Sequence, residues 1–175
     1  LEDLDEKSGE RALWELVQNA RDTSSEARIK VELNDTNIIF SHHGKPFDYT
    51  SFRALVKQDS SKDRNGADQV GQYGTGFMTT HAFNRLVYVS GPFVVKTGEE
   101  TIKGYVQVKD FELDRTLVDT AEGPKKMKEQ LEKVKQLWKG ELLQEINDDA
   151  TSFRYDLTPS QVRNVSDQLS SAIHL

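Results

Sequence analysis

The sequence predicts an α/β domain, a two-layer sandwich in which one mixed β-sheet carries helices mainly on one face. Three observations predict this class. Apolar residues recur at helical spacing near the N-terminus, short alternating segments typical of strands follow, and further helical segments flank the last strand. The 175 residues are enough for one such domain with a substantial core.

The composition limits the classes of partner. The chain is 35% hydrophobic and 30% charged, which is typical of a globular protein rather than a disordered one. No apolar run approaches the roughly 20 residues that span a bilayer, so we expect no membrane partner. The net charge of −6 repels phosphate backbones, so we expect no general nucleic-acid binding.

The absence of cysteine excludes disulfides and thiolate metal sites, and it suits the reducing cytoplasm, where we expect the protein to act. The sequence begins at Leu1 rather than at a methionine. We therefore expect residues 1–175 to be a single domain from a larger multidomain protein.

The first half of the chain alternates between helical and strand-like patterns. A capping serine precedes the first apolar stripe, and turn-forming residues separate two alternating segments that form a hairpin. A polar, charged stretch of the length often found in functional loops follows. The predicted elements are a helix over 8–21, strands over 28–33 and 38–40, a helix over 51–57 and a loop over 58–70.

The second half is richer in strands. A glycine-rich stretch opens a short helix, several strands follow, and a long amphipathic helix rich in lysine and glutamate precedes the last strand. Pro159 fits the first turn of a final helix. The predicted elements are helices over 76–82 and 124–143, strands over 86–90, 93–97, 102–108 and 153–157, and the helix that Pro159 begins.

The first helix carries a candidate catalytic group. At about 100° per residue, Glu15, Asn19 and Asp22 lie within about 60° of one another, on the shoulder of the apolar stripe. A carboxylate can orient or deprotonate a water, and an amide oxygen is a hard ligand of the kind that Mg²⁺ accepts. The alternative is a solvated helix face with an i,i+4 polar pair.

Three further stretches carry weaker signals. "GQYGTGF" places Gly71, Gly74 and Gly76 before a helix, where backbone amides can hold phosphate oxygens, although a tight structural loop has the same pattern. "FSHHGKPF" by itself is explained most simply by a strand followed by a Gly–Pro turn. Thr151 in "DATSFRYDL" by itself is most simply a β-branched strand residue.

Taken in chain order, the four stretches resemble the conserved boxes of the GHKL superfamily of ATPases. This superfamily includes gyrase, the ninety-kilodalton heat-shock chaperone, histidine kinases and mismatch-repair ATPases. "ELVQNARD" is similar to its N-box, "HHGKPF" to its first glycine box, "GQYGTGF" to its second and "ATSFRYDL" to its final strand. The first box looks like that of a divergent branch that reads "HNGKPF". The resemblance covers residues 8–157 and implies the Bergerat fold, with ATP or ADP held between the helix layer and a mobile lid.

The resemblance also implies roles for individual residues. Glu15 would be the general base that activates water, Asn19 would bind Mg²⁺, and Asp22 would support it. Thr151 would lie beside adenine, and Lys62 would fold over the terminal phosphates, unless it is a solvated loop lysine. The phosphates would be wrapped by Gly71, Gln72, Tyr73, Gly74, Thr75, Gly76 and Phe77.

The first box departs from the family pattern, which reads DxGxG and uses its Asp to accept a hydrogen bond from the adenine amino group. Aligning on Gly44 places His42 at the Asp position and Pro46 at the second glycine, and Ala150 replaces a glycine in the last box. A neutral His can accept through a ring nitrogen, so adenine affinity is expected to weaken as pH falls through its titration range. His43 is the competing candidate.

These expectations combine into a magnesium-dependent ATP-binding domain that hydrolyses ATP slowly and acts as a conformational switch in a chaperone-like protein. One alternative is an ATP-responsive binding module without significant hydrolysis, in which nucleotide promotes a homodimer. Another is phosphotransfer to a protein histidine, which Glu15 disfavours, because histidine kinases of the superfamily generally lack that acid.

Overall fold

The computed structural model of the protein describes residues 6–23, 26, 28–57, 75–97 and 101–173. No helix within these ranges is both long and apolar enough to cross a membrane. In chain order the elements are α1 (Glu6–Thr23), β1 (Arg28–Leu33), β2 (Asn37–His43), α2 (Tyr49–Lys57), a 3₁₀ helix (Thr75–Ala82), β3 (Leu86–Thr97), β4 (Thr101–Asp114), α3 (Gly123–Leu137), β5 (Thr151–Asp156) and α4 (Pro159–Ile173).

The five described strands form one sheet in the order β1-β2-β5-β3-β4. The predicted α/β class is confirmed, but the prediction of a mixed sheet is wrong, because every pair in this sheet is antiparallel. Strands β2 and β3 run in the same direction, and β5 inserts between them in the opposite direction. If β2 and β3 were neighbours, they would form a parallel pair. Because β5 lies between them, each instead pairs with β5 in antiparallel orientation.

One face of the sheet is buried and the other is partly exposed. Side chains alternate between the two environments along β2 and β5, as expected for a sheet covered by helices on one side. One cross-strand row on the buried face runs through all five strands. From β1 to β4 this row consists of Val31, Phe40, Phe153, Val89 and Phe111.

Aromatic side chains fill the space between the sheet and the helices. Phe52 of α2 lies 4.6 Å from Phe93 and 5.0 Å from Phe111, measured between ring centroids. Phe47 contacts Phe52 and Phe93, each at 5.4 Å, and reaches Phe153 at 6.4 Å. All five rings are buried, so this cluster fixes α2 and the chain before it onto the centre of the sheet.

Two helices begin with reciprocal caps that the sequence encodes locally. At α2, Asp48 Oδ1 accepts from the Ser51 amide at 2.8 Å, and Ser51 Oγ accepts from the Asp48 amide at 3.0 Å. At α4, Thr158 and Gln161 exchange the equivalent bonds at 3.3 and 2.9 Å. Each pair satisfies amides that have no partner inside the helix.

Several predicted boundaries are corrected. The strands expected over 86–90 and 93–97 are one strand, β3, whose register with β4 shifts between Val89 and Gly91. The helix expected over 124–143 ends at Leu137, because residue Leu143 instead exchanges two backbone hydrogen bonds with Tyr105 of β4, both at 2.8 Å. The helix expected over 76–82 is a 3₁₀ helix rather than an α-helix. The loop predicted over 58–70 lies outside the described residues.

Phe153 sits in the middle strand and in the aromatic layer, so replacing it tests the core directly. We expect Phe153→Ala to lower the free energy of unfolding by about 3–5 kcal/mol, because it removes a buried ring and leaves a cavity. Ile102→Ala is the matched control, since Ile102 is 53% exposed on β4, and it should change stability by less than about 0.5 kcal/mol. Urea unfolding measures both, and equal effects of the two variants would contradict this account of the core.

Candidate functional site

His42 and Thr151 are direct cross-strand partners on β2 and β5, at the end of the sheet where β5 begins. Both side chains are buried. The His42 ring lies nearly parallel to that of Phe153, with 6.2 Å between centroids and 17° between planes. The structure therefore brings together the two residues that the sequence assigned to adenine binding, although they are 109 positions apart.

Neither ring nitrogen of His42 has a hydrogen-bond partner among the described residues. Burial, with a smaller contribution from neighbouring His43, lowers the pKa of His42 from its usual 6.5 to about 4. The ring is therefore neutral at physiological pH and can accept a hydrogen bond. This finding moves the pH window that the sequence predicted for His42, because protonation begins only well below pH 6.

The first glycine box crosses the end of β5 to reach β3. Gly44 and Pro46 are half-buried and Lys45 is exposed. The carbonyl of Phe47 accepts a hydrogen bond of 2.7 Å from the amide of Val94 in β3. Gly44 is not among the described residues with positive φ, so its backbone conformation does not by itself require glycine.

Gly91 is a site residue that the sequence analysis missed. Its φ is +150°, and a Cβ there would lie 2.9 Å from the Ala150 carbonyl oxygen and 3.1 Å from Thr151 Cα. Glycine is needed at this position for both conformation and space. It lets β3 approach the start of β5 closely, and the "SGP" stretch within an otherwise apolar strand was the signal for it.

The three polar residues of α1 occupy different environments. Asn19 is only 7% exposed, on the same buried face as Leu16 and Ala20, and its Nδ2 has no hydrogen-bond partner in the described part of the chain. Glu15 is half-buried and Asp22 is exposed. Helix packing alone does not explain this buried amide, because a buried polar atom without a partner lowers the stability of the fold by about 1–3 kcal/mol.

The second glycine box is only partly described. Lys62 and the stretch from Gly71 to Gly74, which includes Gln72 and Tyr73, lie outside the described residues. Thr75 and Gly76 open the 3₁₀ helix, against which α1 packs. Phe77 is buried, and its ring lies 5.5 Å from that of Phe153. The end of this box is therefore held against the same ring that stacks on His42.

His43 points to a different cluster from His42. Its Nδ1 lies 2.6 Å from Asp149 Oδ1 and 3.8 Å from Asp148 Oδ1. Within the described ranges this is the group whose ligand atoms are close enough for one cation, all within 4.8 Å of one another. The hydrogen bond from His43 lowers the pKa of Asp149 below its usual value, with help from Arg28. The three residues are exposed or half-buried, and they do not include the predicted magnesium ligand, Asn19.

A separate groove lies between α3 and the edge strand β4. Its volume is about 1170 Å³, and Val106, Phe111 and Leu137 form part of its apolar floor. Charged residues of α3 form the rim. None of the predicted site residues lines it, so the groove and the candidate nucleotide site are different surfaces.

Four sequence stretches thus supply His42, Thr151, Phe77 and Asn19 to the helix-covered side of the sheet, with Phe153 touching two of them. His42 and Thr151 offer a neutral acceptor and a hydroxyl in a mainly apolar environment, and Asn19 offers a buried, unpartnered amide on α1. Such a combination is typical of small-molecule sites. No protein-family model, curated protein or solved structure matches the chain.

The low pKa of His42 predicts a specific pH dependence of stability. The unfolded chain binds a proton on this side chain near pH 6.5 and the folded chain near pH 4, so stability is lost as pH falls between these values. We expect the unfolding free energy to fall by about 2 kcal/mol more between pH 7.5 and pH 5 in the native protein than in His42→Phe. Urea unfolding at the two pH values measures the difference, and parallel pH profiles would contradict the buried, neutral ring.

Proposed function

We propose that this protein is a magnesium-dependent ATP-binding domain with slow ATP hydrolysis, which serves as a nucleotide-driven switch in a larger chaperone-like protein. The observation that carries the proposal is the pairing of His42 with Thr151 beside Phe153, which also contacts the end of the second glycine box. Three of the four stretches that resemble GHKL boxes meet at this point. If the resemblance were due to chance, nothing would require these stretches to lie close together in the fold.

The buried polar atoms fit an adenine nucleotide. The ring nitrogens of His42 lack partners among the described residues, and a neutral ring can accept from the adenine amino group. The Thr151 hydroxyl, on the neighbouring strand, offers a second polar contact. A buried acceptor without a partner is destabilising, so a bound base that donates to it would recover part of that cost.

Asn19 is the residue that we assign to magnesium. Its Oδ1, the atom that could bind Mg²⁺, forms no hydrogen bond within the described structure, and α1 packs against the 3₁₀ helix that ends the second glycine box. When bound, Mg²⁺ would neutralise the charge of the phosphates. Glu15, one turn earlier on α1, would orient the attacking water and accept its proton. Backbone amides of the second box would hold the phosphate oxygens.

An ATP-responsive binding module without significant hydrolysis is a second candidate, and one observation favours it. Glu15 forms no hydrogen bond or ion pair with any described residue. A general base works best when neighbouring groups hold it in position. In this alternative, nucleotide binding changes the surface that the protein presents to a partner, including a second copy, and the chemistry is incidental.

Substitutions on α1 separate binding from hydrolysis. We expect Asn19→Ala to weaken Mg-ATP binding at least about tenfold, because it removes the proposed ligand. Glu15→Gln should leave binding within about twofold of the native value and reduce turnover at least about 100-fold. Calorimetric titration and a phosphate-release assay measure the two properties. Native turnover in Glu15→Gln would contradict the assigned base, and no measurable turnover in the native protein would favour the binding module.

The choice of base tests the pocket independently of hydrolysis. Mg-ADP should bind at least about tenfold more tightly than Mg-GDP, because guanine presents a carbonyl oxygen where adenine presents its amino group, and two acceptors cannot pair. His42→Phe should bring the two affinities to within about threefold. Calorimetry measures both proteins. Equal binding of the two nucleotides by the native protein would show that His42 does not read the base.

A further inference from the structure

The outward side of α1 carries an unusual set of exposed residues. Around the helix axis, at about 100° per residue, four side chains lie within about 80° of one another. Trp14 is 63% exposed and the other three are also exposed. We call this set the α1 outer face: Arg11, Trp14, Gln18 and Arg21.

The two arginines of the α1 outer face are unpaired within the described structure. Neither Arg11 nor Arg21 forms an ion pair or hydrogen bond with a described residue. Arg85 and Arg154, by contrast, are paired, with Asp119 at 2.8 Å and with Asp156 at 2.6 Å. The α1 outer face therefore places two unpaired guanidinium groups beside an exposed indole, in a chain with a net charge of −6.

From this we propose that the α1 outer face is a docking surface for an acidic amphipathic segment of a partner protein. The two guanidinium groups would form ion pairs with carboxylates of the partner, and the exposed indole would pack against one of its apolar side chains. Trp and Arg are also the residue types that contribute most to binding at protein interfaces. Arg21 lies in the last turn of α1, where its charge also favours the helix dipole, but Arg11 has no such structural role.

The proposal is independent of the nucleotide site. Asn19 lies about 140° from Trp14 around the helix, so the α1 outer face and the candidate site are on different sides of α1. Glu10 borders the α1 outer face, about 40° from Trp14, and is exposed. Its carboxylate would repel an acidic partner. Removing this carboxylate should therefore strengthen binding, whereas substitution of the arginines should weaken it.

The experiment uses the full 175-residue chain and a defined probe. The probe is a fluorescein-labelled 16-residue peptide of glutamate and leucine arranged as an amphipathic helix, and a peptide with glutamine in place of glutamate is the neutral comparison. Fluorescence anisotropy measures affinity at about 50 and 200 mM salt. We expect the acidic peptide to bind at least about tenfold more tightly than the neutral one, with weaker binding at the higher salt concentration.

Substitutions then locate the surface. Arg11→Glu combined with Arg21→Glu, and separately Trp14→Ala, should each weaken acidic-peptide binding at least about tenfold, and Glu10→Gln should strengthen it about twofold. Because these side chains are exposed, circular dichroism and the melting temperature should stay unchanged. Arg53→Glu, at an exposed position on α2, is the matched control and should change affinity by less than about twofold.

Four results would overturn the proposal. If Arg53→Glu lost as much affinity for the acidic peptide, the attraction would be nonspecific. If the neutral peptide bound equally well, the charge of the peptide would not determine binding. Tighter binding of oligothymidylate than of the acidic peptide, lost in Trp14→Ala, would make the face a nucleic-acid surface. A native dimer in sedimentation that dissociates in Trp14→Ala would make it a contact between copies of this chain.

Discussion

The insertion of β5 between β2 and β3 is the constraint on which the rest of the structure depends. It makes every strand pair antiparallel and places Phe153 in the middle of a cross-strand row that spans all five described strands. It also fixes Thr151 opposite His42. The close approach of β3 at this end needs Gly91, because a side chain there would collide with the backbone of β5. A packing requirement of the sheet thus determines the geometry of the candidate site.

The same burial that stabilises the fold creates polar groups that the fold does not satisfy. His42 and Asn19 are buried among apolar neighbours, and each has at least one nitrogen without a partner in the described part of the chain. A core selected for stability alone would carry apolar residues at these positions. The low pKa of His42 is a consequence of this burial, and it keeps the ring neutral, which an acceptor requires.

Helix α1 connects the two surfaces to which we assign functions. Its inner side carries Asn19 and packs against the 3₁₀ helix, and its outer side carries Trp14 between two unpaired arginines. The helix also contacts α4 and β2, which links it to both the helix layer and the sheet. The proposed nucleotide site and the proposed docking surface therefore lie on opposite sides of one helix.

The sequence by itself determined the local features: the helical stripe of α1, the alternation of the strands, the start of the last helix at Pro159, and the placement of Asn19 beside apolar positions. These depend on residues within a few positions of each other, so periodicity reveals them. Only the tertiary structure decided that the sheet is antiparallel, that His42 faces the core while His43 meets Asp149, and that Gly91 must be glycine. Those facts depend on pairings between residues far apart in the chain, such as the 106 positions between His43 and Asp149, and no local pattern specifies the strand order that creates them.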